Sequence, residues 1–216
     1  MEIINGERLV LGTCYYPEHW DESLWRDDLR RMLENGIEVI RIAEFAWSKI
    51  ERYEGVFNYD FFDRFLDLAE EMGMKVIFCT PTATPPAWLT EKYPEVLNAN
   101  MDGVLYRHGA RRHYNYNSPK YQELTRIIVE KSASHYAKHP AIIGWQIDNE
   151  LNCEKDVFYS ESDTIAFRKF LEKKYETIDA LNAAWGTNFW NQTYNSFEEV
   201  YVPRTTLSNS TNPHEV

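Results

Sequence analysis

Cysteine is scarce in this sequence, and the cysteines present are widely spaced. The 216 residues include 3 cysteines, at Cys14, Cys79 and Cys153, and none of them forms a Cys-x-x-Cys pair. An odd number of distant cysteines argues against a disulfide framework and against a tetrahedral zinc site. We therefore expect free thiols in a protein of the reducing cytoplasm.

Long apolar runs and an excess of basic residues are also missing. No window has the apolar length of a membrane span, and the opening MEIINGERLVLG lacks the basic and apolar regions of a signal peptide. Lysine and arginine number 23 against 34 acids, which gives a net charge of −11. Such a chain repels phosphate backbones and anionic lipids, so we expect neither nucleic acid nor membrane as a partner.

Several catalytic motifs do not occur. The sequence contains no GxSxG elbow, no P-loop and no GxGxxG, which argues against serine hydrolases and against nucleotide or dinucleotide binding. His135 and His139 have the spacing of a zinc helix but lack the glutamate that a metalloprotease needs. We interpret them as surface residues and expect neither a metal nor a cofactor.

Four short apolar runs alternate with helical patterns. The predicted strands are Arg8–Tyr16, Ile37–Ala43, Lys75–Thr80 and Ala141–Ile147. The predicted helices lie around Leu24–Leu33, Phe61–Met72, Pro119–Lys138, Asp163–Tyr175 and Ile178–Trp185. Strand and helix in alternation predict an α/β fold with a parallel sheet, whose continuous apolar strands are typical of burial on both faces. With no linker or repeat, residues 1–216 are predicted to form one structural unit.

Polar and aromatic residues follow each predicted strand. Because the carboxyl ends of parallel strands meet at one rim, these residues are predicted to converge there. They are Tyr15, Tyr16, Pro17, Glu18, His19 and Trp20 after the first strand, Arg41, Glu44 and Trp47 with the second, Thr80, Thr82 and Trp88 after the third, and Asp148, Asn149 and Glu150 after the fourth.

Glu150 is the strongest candidate for chemistry at this rim. A glutamate near apolar walls has a raised pKa and can donate a proton, while the amide of Asn149 suits a sugar hydroxyl. The alternative is that Glu150 caps the next segment or pairs with Arg111. Glu18 and Glu44 are also candidates, but single acids in loops are more often structural.

Six motifs in sequence order then point to a family. YYPEHW, IRIAEFAWSKIE, TPTATPPAWL, GARRHYNYNSPKY, HPAIIGWQIDNE and LNAAWGTNFW resemble those of glycoside hydrolase family 42, the β-galactosidases, from about Leu11 to Pro203. The resemblance implies a (β/α)₈ TIM barrel that hydrolyses terminal non-reducing β-D-galactosyl residues by a retaining double displacement. It also implies Glu150 as general acid/base, with Arg111, Asn149, Arg41 and Trp190 as substrate-binding residues.

The sequence departs from the family pattern at its zinc site and at its nucleophile. Many members bind zinc through cysteines, but Asn115 stands at the first of these positions and VFYSESDT replaces the later cluster; we predict no structural zinc. The nucleophilic glutamate lies late in the family's barrel, beyond Val216. The chain is therefore interpreted as the N-terminal part of the catalytic barrel, roughly four βα units without a second domain, and is expected to be inactive alone.

Three other interpretations remain open. The protein could be another retaining glycosidase of the clan, such as a β-mannanase, a β-glucosidase or an α-L-arabinopyranosidase. It could be a half-barrel that binds galactosides without catalysis, or a gene fragment without a function of its own. Family members often form trimers, so the resemblance allows a homotrimer for a full-length protein.

Overall fold

The computed structural model describes residues 9–153 and 157–204. Arg8, where the first predicted strand begins, lies outside the described residues. The strands are β1 (Leu11–Cys14), β2 (Ile37–Ile42), β3 (Glu51–Tyr53), β4 (Val56–Phe57), β5 (Lys75–Cys79) and β6 (Ile142–Gln146). The helices are α1 (Glu22–Glu34), α2 (Trp47–Ile50), α3 (Asp60–Met72), α4 (Ala87–Lys92), α5 (Pro119–Tyr136), α6 (Glu161–Tyr175) and α7 (Ile178–Trp185).

The packing of the chain divides it into two compact units. The first comprises Met1–Leu89 and Leu124–Leu151, and the second comprises Thr90–Glu123 and Asn152–Val216. The prediction of a single catalytic domain stays a prediction.

The first unit contains the predicted parallel sheet. Its strand order is β1-β2-β5-β6, and all three pairings are parallel. Phe62 of α3 packs edge-on against Phe78 of β5, which in turn contacts Tyr136 of α5. On α1, Trp25 packs edge-on against Phe65 of α3. These aromatic rings form a buried layer between the helices and one face of the sheet.

Burial on both faces was predicted for all four strands, and this is wrong for β1. All four residues of β1 are exposed, and every residue of β6 is half-buried. These two strands form the edges of the sheet, with a neighbour on one side only among the described residues. An edge strand loses the cover that its central neighbours β2 and β5 receive.

Local signals place the ends of the first two long helices. The side chain of Asp21 accepts a hydrogen bond from the Ser23 amide and caps α1. Gly36 and Gly73 follow α1 and α3 in the left-handed conformation, both at φ = 79°, which glycine adopts without steric cost.

The second unit contains α6, α7 and, from Thr90 onward, the long segment between β5 and α5 that the sequence predicts as loop. Short helical turns at Ala87–Lys92 and Pro94–Val96 and two isolated bridges, Leu97–Tyr114 and Ala99–Leu105, organise that segment. Leu171, Leu181 and Val200 form the core beside α6 and α7. No helix among the described residues is both long and apolar enough to cross a membrane.

Candidate active site

Three residues at the carboxyl ends of β2 and β6 have a left-handed backbone although none is glycine. They are Ala43 at φ = 76°, Asp148 at φ = 54° and Glu150 at φ = 45°. Such conformations cost about 1–3 kcal/mol each and persist where the surroundings fix them, often at functional sites. The strain therefore marks the rim that the sequence predicts as the site.

Asp148 builds the turn that carries Asn149 and Glu150. One carboxylate oxygen accepts a hydrogen bond from the Thr82 hydroxyl at 2.8 Å, and the other accepts from the Asn149 amide at 2.6 Å. The Asp148 amide donates to the Thr80 hydroxyl at 2.7 Å. Both threonines come from the segment after β5, so two neighbouring strand ends hold this turn in place.

Arg41 is held by groups on three strand ends. Its Nη2 donates to Glu44 Oε1 at 2.8 Å and to Cys14 Sγ at 3.0 Å, and its Nη1 donates to Gln146 Oε1 at 2.9 Å. Glu44 is fully buried, and the same Oε1 accepts a hydrogen bond from the Tyr16 hydroxyl at 2.8 Å. Glu44 therefore fixes the arginine, a structural role that the sequence left open.

Gln146 joins Arg41 to the acid/base turn. Its Nε2 donates to the carbonyl of Asp148 at 2.9 Å and to Asn149 Oδ1 at 3.1 Å. Sequence reasoning missed this residue, because an amide inside an apolar strand is indistinguishable from an ordinary core position. The structure thus brings Arg41 and Asn149 together through a third side chain.

Burial and the Glu44 carboxylate dominate the electrostatics of this rim. Burial and the hydrogen bond to Glu44 raise the pKa of Tyr16 to about 12, so its hydroxyl stays a donor. Burial, with the Glu44 charge nearby, also raises the pKa of the Cys79 thiol. Burial by itself lowers the pKa of the Arg41 guanidinium, but the nearby Glu44 charge raises it, and the pKa lies above the usual value. Arg41 is thus a permanent cation.

Glu150 itself is exposed, whereas Asn149 beside it is buried. The two residues lie just after β6, as predicted, with Ile147 and Asp148 between them and the end of the strand. Their assigned roles as acid/base and sugar ligand stay predictions.

The remaining predicted site residues belong to the second unit. Arg111 is half-buried in the segment before α5, next to Arg112, which has φ = 62° and donates to the Tyr114 hydroxyl at 2.8 Å. Trp190 is 78% exposed, has φ = 54°, and stacks on Phe189 with ring centroids 4.8 Å apart. An exposed indole held by a strained backbone is suited to stacking on a sugar face.

A buried polar cluster surrounds Asn115, which stands at a position where many family members have a zinc-binding cysteine. Asp163 Oδ2 accepts hydrogen bonds from Asn115 Nδ2 at 2.5 Å and from the amide of Ser160 at 2.9 Å. Asp163 Oδ1 accepts from Asn117 Nδ2 at 2.8 Å, and Asn115 Nδ2 also donates to Ser160 Oγ. These residues satisfy one another and tie the segment before α5 to the start of α6.

Among the described residues, one group has the composition of a metal site. Ligand atoms of Asp67, Glu70 and His139 lie within 4.8 Å of one another. The amide of Ala141 donates to His139 Nδ1 at 3.3 Å, so a neutral ring carries its proton on Nε2, which faces Asp67 at 3.6 Å. That geometry aims the Nε2 proton at the Asp67 carboxylate and leaves the neutral ring no free lone pair for a metal.

The fold and the similarity to known proteins define the class. The parallel sheet and its helices are α/β and correspond to the first four units of a (β/α)₈ barrel. The chain belongs to glycoside hydrolase family 42, because the family model described as "Beta-galactosidase" matches residues 14–216. The predicted family and fold are both confirmed.

Named relatives agree with this assignment. The chain is 45% identical over 206 residues to a β-galactosidase of Thermus thermophilus, covering 95% of this chain and 32% of the relative. It is 43% identical over 194 residues to the β-galactosidase Bga of Halorubrum lacusprofundi, covering 89% and 28%. The crystal structure of a β-galactosidase from the psychrophilic Marinomonas ef1 superposes with a TM-score of 0.89 at 43% identity, covering 94% of this chain and 31% of that chain. The chain thus spans about a third of the length of these relatives.

Proposed function

We propose that this chain carries the acid/base side of a β-galactosidase site, acting on terminal non-reducing β-D-galactosyl residues. Glu150 donates the proton to the leaving oxygen and later removes one from the attacking water, as a retaining mechanism requires. The observation that carries the proposal is the Asn149–Glu150 pair on the strained Asp148 turn, linked through Gln146 to Arg41. The relatives are β-galactosidases, and they suggest the substrate class.

Within this proposal, the other site residues bind the sugar. Asn149 and Arg111 hydrogen-bond to its hydroxyls, and Trp190 provides an aromatic wall. Arg41 orients the nucleophile, and Glu44 keeps the arginine in place. No metal, cofactor, nucleic acid or membrane takes part, and the protein acts in the cytoplasm.

The nucleophile is proposed to come from outside these 216 residues. A retaining glycosidase needs two carboxyl groups about 5–5.5 Å apart. Glu44 is a poor nucleophile, because it is completely buried and its Oε1 already accepts hydrogen bonds from Arg41 and Tyr16. The isolated chain should therefore leave nitrophenyl β-galactoside at the buffer rate of hydrolysis.

A chimera tests the role of Glu150. This chain replaces the matching 206 residues of the Thermus thermophilus enzyme, and Glu150→Gln is compared with Glu172→Gln at an exposed position of α6. General acid catalysis contributes typically ~10²–10⁴-fold, so Glu150→Gln should slow lactose hydrolysis by that factor. The leaving group of a nitrophenyl galactoside needs no proton. The rate of the first step, in which the glycosyl-enzyme forms, should therefore fall much less with this substrate.

The outcomes separate the alternatives. Equal losses on both substrates would remove Glu150 from the acid/base role. A chimera that prefers nitrophenyl mannoside, glucoside or arabinopyranoside would point to another retaining glycosidase. Calorimetric binding of galactose by the isolated chain, with an inactive chimera, would favour a binding half-barrel.

A further inference from the structure

Gln146 lies between a group that can only donate a hydrogen bond and a group that can only accept one. Arg41 Nη1 donates to its Oε1 at 2.9 Å, and the carbonyl oxygen of Asp148 accepts from its Nε2 at 2.9 Å. A guanidinium has no acceptor and a carbonyl has no donor. The oxygen and nitrogen of this amide are therefore assigned independently from both sides, which removes the usual ambiguity of amide orientation.

The orientation of Gln146 determines that of Asn149. The same Nε2 donates to Asn149 Oδ1 at 3.1 Å, so Asn149 must turn its oxygen toward Gln146. The backbone N–H of Asn149 donates to Asp148 Oδ1 at 2.6 Å, and this bond limits movement of the backbone. Asn149 Nδ2 hydrogen-bonds to no other residue in the described part of the chain, and it is the atom left to meet a ligand.

We propose that Gln146 is a positioning residue that sets the polarity of the Asn149 amide, so that Asn149 binds its ligand as a hydrogen-bond donor. The sequence of contacts begins at Arg41, whose own position is fixed by Glu44 at 2.8 Å. The ligand group at Asn149 is consequently an acceptor, for which a hydroxyl oxygen or a fluorine qualifies and a methylene does not. The sugar identity rests on the proposed function, whereas the amide polarity does not.

The first test measures solvent exchange of side-chain amide protons by NMR on the ¹⁵N-labelled 216-residue chain. In the wild-type chain, the Gln146 amide protons should exchange slowly and those of Asn149 rapidly. In Gln146→Glu the carboxylate can only accept, so Asn149 must turn its Nδ2 inward, and its exchange should slow by about fivefold, the effect of one neutral hydrogen bond. Slow Asn149 exchange in the wild-type chain would overturn the proposal.

Two further variants keep the test decisive. Gln122→Glu repeats the substitution at an exposed glutamine whose Nε2 donates to the Tyr116 carbonyl, and it should leave Asn149 exchange unchanged. Asn149→Asp retains the inward acceptor, so the Gln146 protons should stay slow even if Gln146→Glu does not fold. Rapid exchange of Gln146 in Asn149→Asp would contradict the assigned contact.

A second test uses galactose and its monodeoxy and monofluoro analogues, titrated into the same labelled chain. One sugar hydroxyl should be identified as the ligand of Asn149, because its replacement changes the NMR shift of the Asn149 side-chain amide. At that position, the fluoro sugar should still bind, and the deoxy sugar should bind about fivefold more weakly than galactose. Gln146→Glu should abolish this preference for fluorine, and preference retained there would contradict the positioning role. Failure of galactose to bind the wild-type chain would count against the proposed function alone, since the exchange measurements decide the amide polarity.

Discussion

Arg41 and Glu44 form an ion pair in which the two charges are unequally buried. Arg41 Nη2 lies 2.8 Å from Glu44 Oε1, with the carboxylate side chain fully buried and the arginine side chain 31% exposed. Glu44 Oε2 is buried and has no hydrogen-bond partner among the described residues. Loss of the arginine therefore leaves a charge with no access to water, whereas loss of the carboxylate leaves a charge that water still reaches.

This asymmetry predicts unequal effects on stability. Arg41→Met should lower the free energy of unfolding by about 3–5 kcal/mol, the cost of a buried unpaired charge. Glu44→Gln should lower it by about 1–2 kcal/mol, because the amide oxygen still accepts from Arg41 and Tyr16. Urea denaturation at neutral pH measures both. Arg26→Met, which removes the exposed Arg26–Glu71 pair, is the control and should leave the free energy of unfolding nearly unchanged, because water screens an exposed ion pair. Equal losses at Arg41 and Glu44 would refute the argument.

Two glycines on the opposite edge strands of the sheet, β1 and β6, should respond differently to alanine. A Cβ on Gly12 would lie 2.9 Å from the carbonyl oxygen of Val39, whereas a Cβ on Gly144 meets its nearest atom, Ile77 Cγ1, at 4.0 Å. Gly12→Ala should force β1 and β2 apart and cost about 1–3 kcal/mol. Gly144→Ala should be neutral or stabilise by up to about 1 kcal/mol, because alanine loses less entropy on folding. Thermal denaturation of the two variants compares them, and similar Tm values would contradict the predicted clash.

The main elements of the first unit could be predicted because their signals are local. Apolar runs identify the four strands of the sheet, and Gly36 and Gly73 mark helix ends that need a left-handed residue. The hairpin of β3 and β4 was missed, because strands of three and two residues are too short for periodicity. Its one signal was Gly55, which takes φ = 77° in the turn.

The candidate site was predictable only to the level of the rim. Parallel strands place Asn149 and Glu150 at the same edge as Arg41, and the motif resemblance supplies roles for them. The contact between Arg41 and Gln146 joins residues 105 positions apart, and no local pattern encodes it. The burial of Glu44 likewise depends on packing from three strands, so an acid in a loop looked ordinary.

The Asn115 cluster predicts a segment held by hydrogen bonds rather than by zinc. Asp163→Asn places an amide donor where the carboxylate now accepts from Asn115, Asn117 and Ser160. An unpaired buried donor should cost about 1–3 kcal/mol. The control Asp179→Asn, at an exposed position of α7, should change stability by less than about 0.5 kcal/mol. Both follow from urea unfolding monitored by circular dichroism.

The same cluster predicts the response to chelators. Protein purified without added metal should contain no stoichiometric zinc by elemental analysis, and a chelator should leave its Tm unchanged. One zinc per chain, or a Tm that falls with chelator and recovers with zinc, would show that the hydrogen bonds do not replace the metal.

Glu18 combines a carboxyl group with a site that disfavours its charge. It lies in the helical turn Pro17–His19 after β1, and its Oε2 is buried with no hydrogen-bond partner in the described part of the chain. Burial raises the pKa of Glu18 above its ordinary 4.5, and the Glu44 charge adds to that effect. As the pH rises, the Glu18 carboxyl of the native protein therefore keeps its proton to a higher pH than the same carboxyl in the unfolded chain.

Glu18→Gln should therefore gain stability relative to the wild-type chain as the pH rises above about 4.5. In that range the native wild-type protein binds more protons than the unfolded chain, so its free energy of unfolding falls with pH, while the neutral glutamine contributes no such slope. Glu71→Gln is the opposite control, because the Arg26 hydrogen bond lowers the pKa of Glu71. That variant should lose relative stability as the pH rises toward 4.5. Urea midpoints of the three proteins between about pH 3.5 and 8 give the slopes. A Glu18→Gln difference that stays flat or falls above pH 4.5 would show that the carboxyl ionises in the native protein at its ordinary pKa.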